Sequence, residues 1–149
     1  MAFDEFVVRP IGVVSNQFEH EVPQGWERSV SEVRVDARWE VALEGLEDFS
    51  HILVLFWLNR IAGERALRVH PMGRLDAPLV GLFSTRTPRR PNPIGLTVVR
   101  LLERRANVLR VEGLDALDGS PVVDLKPYLT RNDRVQGATM PDWVAGARG

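Results

Sequence analysis

Apolar and polar positions alternate in short runs along most of this chain, and one segment carries a helical pattern. Phe6 to Val14 reads as a first strand, with Val7, Ile11 and Val13 apolar and Gly12 at a bulge or close approach. Residues 16 to 29 have no period and read as a loop, long enough to suggest function. Ser31 to Val35 alternates and predicts a strand. Asp36 is placed to cap a short helix running to Leu43, and Gly45 to end it. Ile52 to Leu58 is apolar throughout, which predicts a strand buried on both faces. His51, at its start, reads as a structural residue. Residues 61 to 78 are mixed and accommodate one short strand and a surface loop. Leu79 to Phe83, Leu96 to Leu102, Val108 to Val111 and Val122 to Leu125 are further strand candidates, with a polar hairpin over 103 to 107. The tail from Asn132 is weakly patterned. Many short strands and one short helix predict a mainly β chain, a single antiparallel barrel or sandwich, and periodicity alone does not choose between them.

Length and composition narrow this little. A chain of 149 residues fits one domain with a real core. Net charge is −1, so any nucleic-acid contact has to use a local patch. Cysteine is absent, which removes disulfides and thiolate metal sites and suits the cytosol. The acidic start Met1 to Glu5 lacks a signal-peptide shape. The longest apolar run, 52 to 58, is far short of the ~20 residues a membrane helix needs. No Gly-x-Gly-x-x-Gly follows the first strand, which argues against a Rossmann nucleotide fold.

Two stretches carry candidate chemistry. Gly81-Leu82-Phe83-Ser84-Thr85-Arg86-Thr87-Pro88-Arg89-Arg90-Pro91-Asn92-Pro93-Ile94-Gly95-Leu96 leaves one apolar run and enters another through three arginines and three prolines. Proline fixes φ, so the loop is stiff before anything binds. Its arginines can offer planar forks to a carboxylate or phosphate, or they can simply be solvated. Leu114-Asp115-Ala116-Leu117-Asp118-Gly119-Ser120-Pro121-Val122-Val123-Asp124-Leu125-Lys126-Pro127-Tyr128 contains a tight turn with three aspartates around it. It also holds the chain's single lysine, the other eighteen basic residues being arginine. Asp124 and Lys126 read equally as a structural ion pair or as groups with a chemical role.

Taken together, these stretches resemble the TsaA/TrmO-type family, whose best-known members are S-adenosylmethionine-dependent tRNA N6-methyltransferases. Ile11-Gly12-Val13 and Leu46-Glu47-Asp48-Phe49-Ser50-His51 extend the resemblance, which covers roughly residues 9 to 130. It implies a small β-barrel acting as a cytoplasmic homodimer, with S-adenosylmethionine bound near the subunit interface and no metal. Carried over residue by residue, it implies cofactor contacts at Pro23, Gln24, Gly25, Asn59, Arg60, Arg86, Leu96, Asp115, Ala116, Leu117 and Asp118. Asn59-Arg60 departs from the His-Gln pair common in the family.

A methionyl carboxylate suits Arg86, and an ammonium and ribose hydroxyls suit the Asp115 to Asp118 turn. Adenine suits the apolar wall at Leu96. Methylating an exocyclic nitrogen needs alignment and a route for one proton. Asp118, Lys126 and Tyr128 are the candidates for the reacting end, with Asp124 beside them. Six arginines between 86 and 105 face a single acid, and Arg89, Arg90, Arg104 and Arg105 are the candidates for RNA phosphate. Two functions follow: methylation of N6 on a modified adenosine, threonylcarbamoyladenosine, at tRNA position 37, or a cofactor-binding barrel without tRNA activity, serving a small-molecule transfer or a sensing role.

Overall fold

The computed structural model describes residues 4–21 and 24–145, which divide into two compact units. The first comprises residues up to Asn59 together with Ile94–Tyr128. Within it, β1 (Gly12–Ser15), β2 (Val30–Val35), β3 (His51–Trp57), β6 (Ile94–Arg105), β7 (Val108–Glu112) and β8 (Pro121–Pro127) close into an antiparallel barrel, ordered β1-β2-β7-β6-β3-β8. The second unit comprises residues 60–93 and the chain from 129 onward. It holds a two-stranded ladder of β4 (Arg68–Val69) and β5 (Val80–Gly81), with short helices α1 (Thr130–Asp133) and α2 (Asp142–Ala145).

Closure settles the barrel-or-sandwich question, because every one of the six strands has two partners and no edge is left. Inward positions alternate along the strands. Val14, Val33, Val35, Ile52, Val54, Phe56, Val99, Leu109, Val111 and Val122 fill the interior, and Leu43, Leu114 and Ala116 belong to the same core. Two close approaches make room for this packing. A Cβ on Gly12 would lie 2.5 Å from the Arg34 carbonyl oxygen, and a Cβ on Gly95 would enter the Phe56 ring.

Several elements differ from the sequence reading. The first strand starts at Gly12, because pairing with β2 ends at Val35, and Phe6, 84% exposed, has no strand beside it among the described residues. β3 is buried on one face only: Ile52, Val54 and Phe56 point inward, while Leu53, Leu55 and Trp57 are half-buried outside. A run of apolar residues therefore marks two different apolar surfaces. Asp36 caps as expected, its carboxylate accepting from the Arg38 N–H at 3.0 Å, but the helix it starts is a 3₁₀ helix, Ala37–Leu43. The 79–83 segment gives only the two-residue β5, because Leu82–Ser84 coil into a 3₁₀ turn closed by the Thr85 hydroxyl on the Leu82 carbonyl. β6 runs on through the expected hairpin to Arg105, and the turn is reduced to Ala106-Asn107.

β6 carries an irregularity against β7 between Leu101 and Glu103. It switches the side-chain parity of the strand, so Arg104 pairs opposite the buried Leu109.

Candidate functional site

Antiparallel pairing gathers three loops at one end of the barrel. The 16–29 loop leaves β1 there, the 113–120 turn joins β7 to β8 there, and the chain leaves after β3 and returns at β6 there. Gln24, Gly25, Asn59 and Asp115 to Asp118 therefore all belong to this rim, and Leu96 lies one inward–outward step beyond Ile94 on β6. Pro23 lies outside the described residues. Sequence spacing gives no hint of this gathering, which is a product of strand order.

The 113–120 turn is held by hydrogen bonds on both sides. Gly119 and Asp118 N–H groups donate to the carbonyls of Val14 and Phe18, each at 2.8 Å. The Asp118 Oδ1 accepts from the Asn16 N–H at 2.9 Å. Asp118 thus ties the turn to the 16–29 loop. On the other flank, Gly113 N–H donates to the Ser29 carbonyl at 3.0 Å, and the Glu27 carboxylate accepts from the Gly25 N–H at 3.1 Å. Gly25 takes a φ of 94°, a conformation glycine adopts without Cβ strain.

Asp115 is the rim's electrostatic outlier. Loss of solvent around its carboxylate pushes its pKa up, and the nearby negative charges of Glu21 and Glu27 add to the push. Folding with an acid of raised pKa is most favourable when that acid is protonated. The unfavourable contribution grows as pH rises through the folded-state value. Asp115→Asn should therefore raise the thermal midpoint at neutral pH and leave it unchanged below the carboxylate range. A lower midpoint at neutral pH would show instead that the charge supports the fold.

Lys126 and Tyr128 stand elsewhere. Lys126 lies on the outer wall of β8, five residues beyond Pro121 and roughly 16 Å along the strand, and Tyr128 follows the strand's last residue, Pro127. Lys126 Nζ pairs with Asp124 Oδ2 at 2.8 Å, both side chains about half exposed. The Asp124 hydrogen bond and charge raise the Lys126 pKa. The pair is a surface ion pair, a kind that contributes little to stability. Lys126→Met should leave the thermal midpoint within a few degrees; a large fall would contradict the surface assignment. Tyr128 donates its backbone N–H to the His51 carbonyl at 3.1 Å, with its ring edge-on to the His51 imidazole. The His51 Nδ1 in turn lies 2.8 Å from the Ser50 hydroxyl.

The same outer wall is apolar. Ile94, Leu96 and Val98 are 43, 55 and 47% exposed, and they pair directly with Trp57, Leu55 and Leu53 of β3. Lys126 and Asp124 sit in the next column, opposite Leu53 and Leu55.

The arginines separate into distinct environments. In the 60–93 unit, Arg90 donates to the Thr85 carbonyl at 2.7 Å and lies 5.6 Å from the centre of the Phe83 ring. Arg89 donates to the Ala62 carbonyl at 3.0 Å. Both fasten the Pro-rich loop to itself or to its neighbours. Arg86 is exposed, and among the described residues no side chain or carbonyl holds its guanidinium. Arg60 is exposed and has an interaction partner. In the barrel, Arg104 is only 15% exposed and pairs with Glu47 at 3.0 Å. The Glu47 carboxyl is held below its usual range, first by its own backbone N–H and further by Arg104. Arg105 is exposed beside a shallow cleft lined by Glu32, Arg34, Glu103, Val108 and Arg110. Strand register explains the cleft: Arg34, Val108 and Arg105 form one row across three strands, and Glu32, Arg110 and Glu103 form the next.

Residues 17–134 match the family model of the tRNA-methyltransferase O N-terminal domain, and the chain belongs to that family. A probable S-adenosyl-L-methionine-binding protein of Methanothermobacter thermautotrophicus is 49% identical over 83% of this chain and 90% of its own length. An S-adenosyl-L-methionine-binding protein of Archaeoglobus fulgidus is 43% identical over 87% and 94%. The tRNA (adenine(37)-N6)-methyltransferase of Mus musculus is 39% identical over 68% of this chain and 23% of its own length. The crystal structure of TrmO from Pseudomonas aeruginosa superposes with a TM-score of 0.74 at 31% identity, covering 91% of this chain and 62% of that one. The chain thus spans less than two thirds of that solved relative, and under a quarter of the mouse enzyme.

Proposed function

We propose that this chain binds S-adenosyl-L-methionine at the barrel rim and transfers its methyl group to N6 of adenosine 37 in tRNA, with threonylcarbamoyladenosine as the acceptor. The observation that carries the reading is the rim itself, where Gln24, Gly25, Asn59 and the Asp115 to Asp118 turn converge in a family member. The donor set suits that cofactor. Asp115, desolvated and flanked by two further carboxylates, favours a cationic ligand, which would offset the repulsion that raises its pKa. The exposed Leu96 side chain offers an apolar wall of the kind an adenine ring needs. Bound there, the cofactor supplies an activated methyl group on a positively charged sulfur. The rim residues then have to bind and align, and the acceptor's departing proton has to reach water or a base. With its Oδ1 held by Asn16, Asp118 serves the turn first, and its Oδ2 is the remaining acceptor.

Calorimetry with S-adenosyl-L-methionine should give one site per chain. Transfer of labelled methyl to tRNA from a strain lacking the modification tests the second half. Absence of heat at millimolar ligand, with folded protein, rules out the cofactor reading.

The second reading is a cofactor-binding barrel without tRNA activity. It is favoured by the archaeal relatives, which are named only as S-adenosyl-L-methionine-binding proteins and match over 90% and 94% of their length. Cofactor heat with no label in tRNA selects it.

We further propose one family domain, a cytoplasmic location and a homodimer. The exposed Ile94, Leu96 and Val98 column supports the dimer, because contiguous apolar surface of this kind marks protein contacts. Light scattering should give twice 16.8 kDa. For RNA, Arg105 with Arg34 and Arg110 is the better-supported patch on the barrel: each is paired with a glutamate but stays exposed, whereas Arg104 is paired and largely covered. Charge reversal at Arg34 and Arg105 together should weaken tRNA binding and flatten its salt dependence by about one unit for each phosphate no longer neutralised. Arg104→Ala should instead lower stability and leave the salt slope alone.

A further inference from the structure

The loop after β1 contains one residue whose side-chain polar atoms and N–H are all engaged in shaping the rim. Asn16 is half-buried. Its Nδ2 donates to the Ala116 carbonyl at 2.9 Å and to the Ser31 hydroxyl at 3.0 Å. Its Oδ1 accepts from the Phe18 N–H at 2.9 Å, and its own N–H donates to Asp118 Oδ1 at 2.9 Å. The Phe18 carbonyl then receives the Asp118 N–H. One side chain and its peptide therefore reach both ends of the Ala116-Leu117-Asp118 segment, 100 and 102 residues away in sequence. Ser31, itself buried on β2, anchors the amide from the barrel side.

We infer that Asn16 is the positioning residue of the cofactor turn: it sets the height of Ala116 and the direction of the Asp118 carboxylate without touching the ligand. The inference rests on the cofactor reading above. Chemistry limits the replacements. Both Nδ2 hydrogens are used as donors, so aspartate keeps the acceptor for Phe18 but loses both donor bonds, and adds a negative charge beside Asp118. Alanine loses all three side-chain bonds and leaves the Ala116 carbonyl unmet. Ser31→Ala removes one leg and leaves the bond to Ala116 in place.

The graded consequences separate positioning from general support. Asn16→Ala and Asn16→Asp should each raise the calorimetric Kd for S-adenosyl-L-methionine at least tenfold at a temperature where both are fully folded. Ser31→Ala should stay within about threefold of the wild type. Val99→Ala, a core truncation away from the rim, should lower the thermal midpoint by as much as Asn16→Ala while leaving Kd unchanged. Amide exchange in the ligand-free protein supplies a readout independent of binding: Asn16→Ala should speed exchange at Asp118 and Gly119 and leave the β3 and β6 amides protected. Wild-type Kd values in both Asn16 variants, with cofactor binding intact in the parent, overturn this inference alone. A parent that binds no cofactor overturns the reading beneath it as well. Equal loss of affinity in Val99→Ala would reduce Asn16 to an ordinary stabilising residue.

Discussion

Gly95→Ala should destabilise the chain by about 1–3 kcal/mol, the range for forcing added atoms into a filled core. The new methyl would collide with one edge of the Phe56 ring, 2.5 Å from its Cε2. Gly95 and Phe56 are direct partners across β6 and β3, and Phe56 is 2% exposed, so the ring has no free space into which to turn. For a domain of ordinary stability this is a large fraction of the total. Urea denaturation should show the midpoint falling without a change of slope. The cause is testable by pairing the change with Phe56→Leu, which removes the atoms that collide. The double variant should be more stable than the sum of the single losses predicts, by a coupling of about 0.5–3 kcal/mol. Strict additivity would place the cost in the strand backbone instead. Gly12→Ala provides a contrast. Its methyl would meet the Arg34 carbonyl and the Val35 Cα, both backbone, so no side-chain truncation should rescue it.

These glycines also show what the amino-acid sequence reveals and what it hides. Gly12 can be marked in advance as a close-approach position, because a glycine inside an alternating run has few other uses. Gly95 cannot, since it reads as the end of a Pro-rich loop, and only pairing with Phe56 defines its task. The same holds on a larger scale. Strand existence is readable in β2, β6, β7 and β8, where alternation or apolar runs have tertiary partners on one or both sides. The first strand reads too long, because Phe6 to Val8 carry strand-forming residues with no strand to pair with among the described residues. β3 misleads in a different way: its continuous apolar run reports a packed inner face and an apolar outer wall, which composition does not distinguish.

The candidate site is legible as motifs and illegible as geometry. Resemblance selects the Asp115 to Asp118 turn and Gln24-Gly25, and strand order brings them to one rim. Lys126 and Tyr128 are near Asp118 in sequence, but the extended strand β8 carries the chain away from the rim before it reaches them. Asn16 leaves no signal, because an asparagine after a short strand resembles any turn former. Its importance exists only through partners a hundred residues away. The arginines are likewise equivalent as letters. That Arg104 and not Arg105 stands opposite the buried Leu109 is set by the irregularity between Leu101 and Glu103, a feature with no sequence mark.

Arg86 and Arg90 allow the sharpest separation of recognition from support within one loop. If Arg86 holds the cofactor's carboxylate, as the family resemblance implies, Arg86→Ala should weaken S-adenosyl-L-methionine binding by about 10- to 150-fold, the equivalent of the ~1.5–3 kcal/mol assigned to a hydrogen bond with a charged group. Its thermal midpoint should not move, because no described group depends on its guanidinium. Arg86→Lys should recover only part of the affinity, since an ammonium cannot make the planar two-point contact a carboxylate accepts. A decarboxylated cofactor analogue should bind wild type and Arg86→Ala alike, which ties the loss to the carboxylate. Arg90→Ala should behave in the opposite order. It removes the bond to the Thr85 carbonyl and the cation above Phe83, so the 83–90 loop should loosen first, seen as faster proteolysis there. Any affinity lost with Arg90 should then fall on the carboxylated and decarboxylated ligands equally. If Arg86→Ala binds the cofactor as tightly as wild type, the carboxylate must be held by another cation, and Arg86 becomes available to RNA phosphate, which the salt slope for tRNA would show by falling about one unit in that variant.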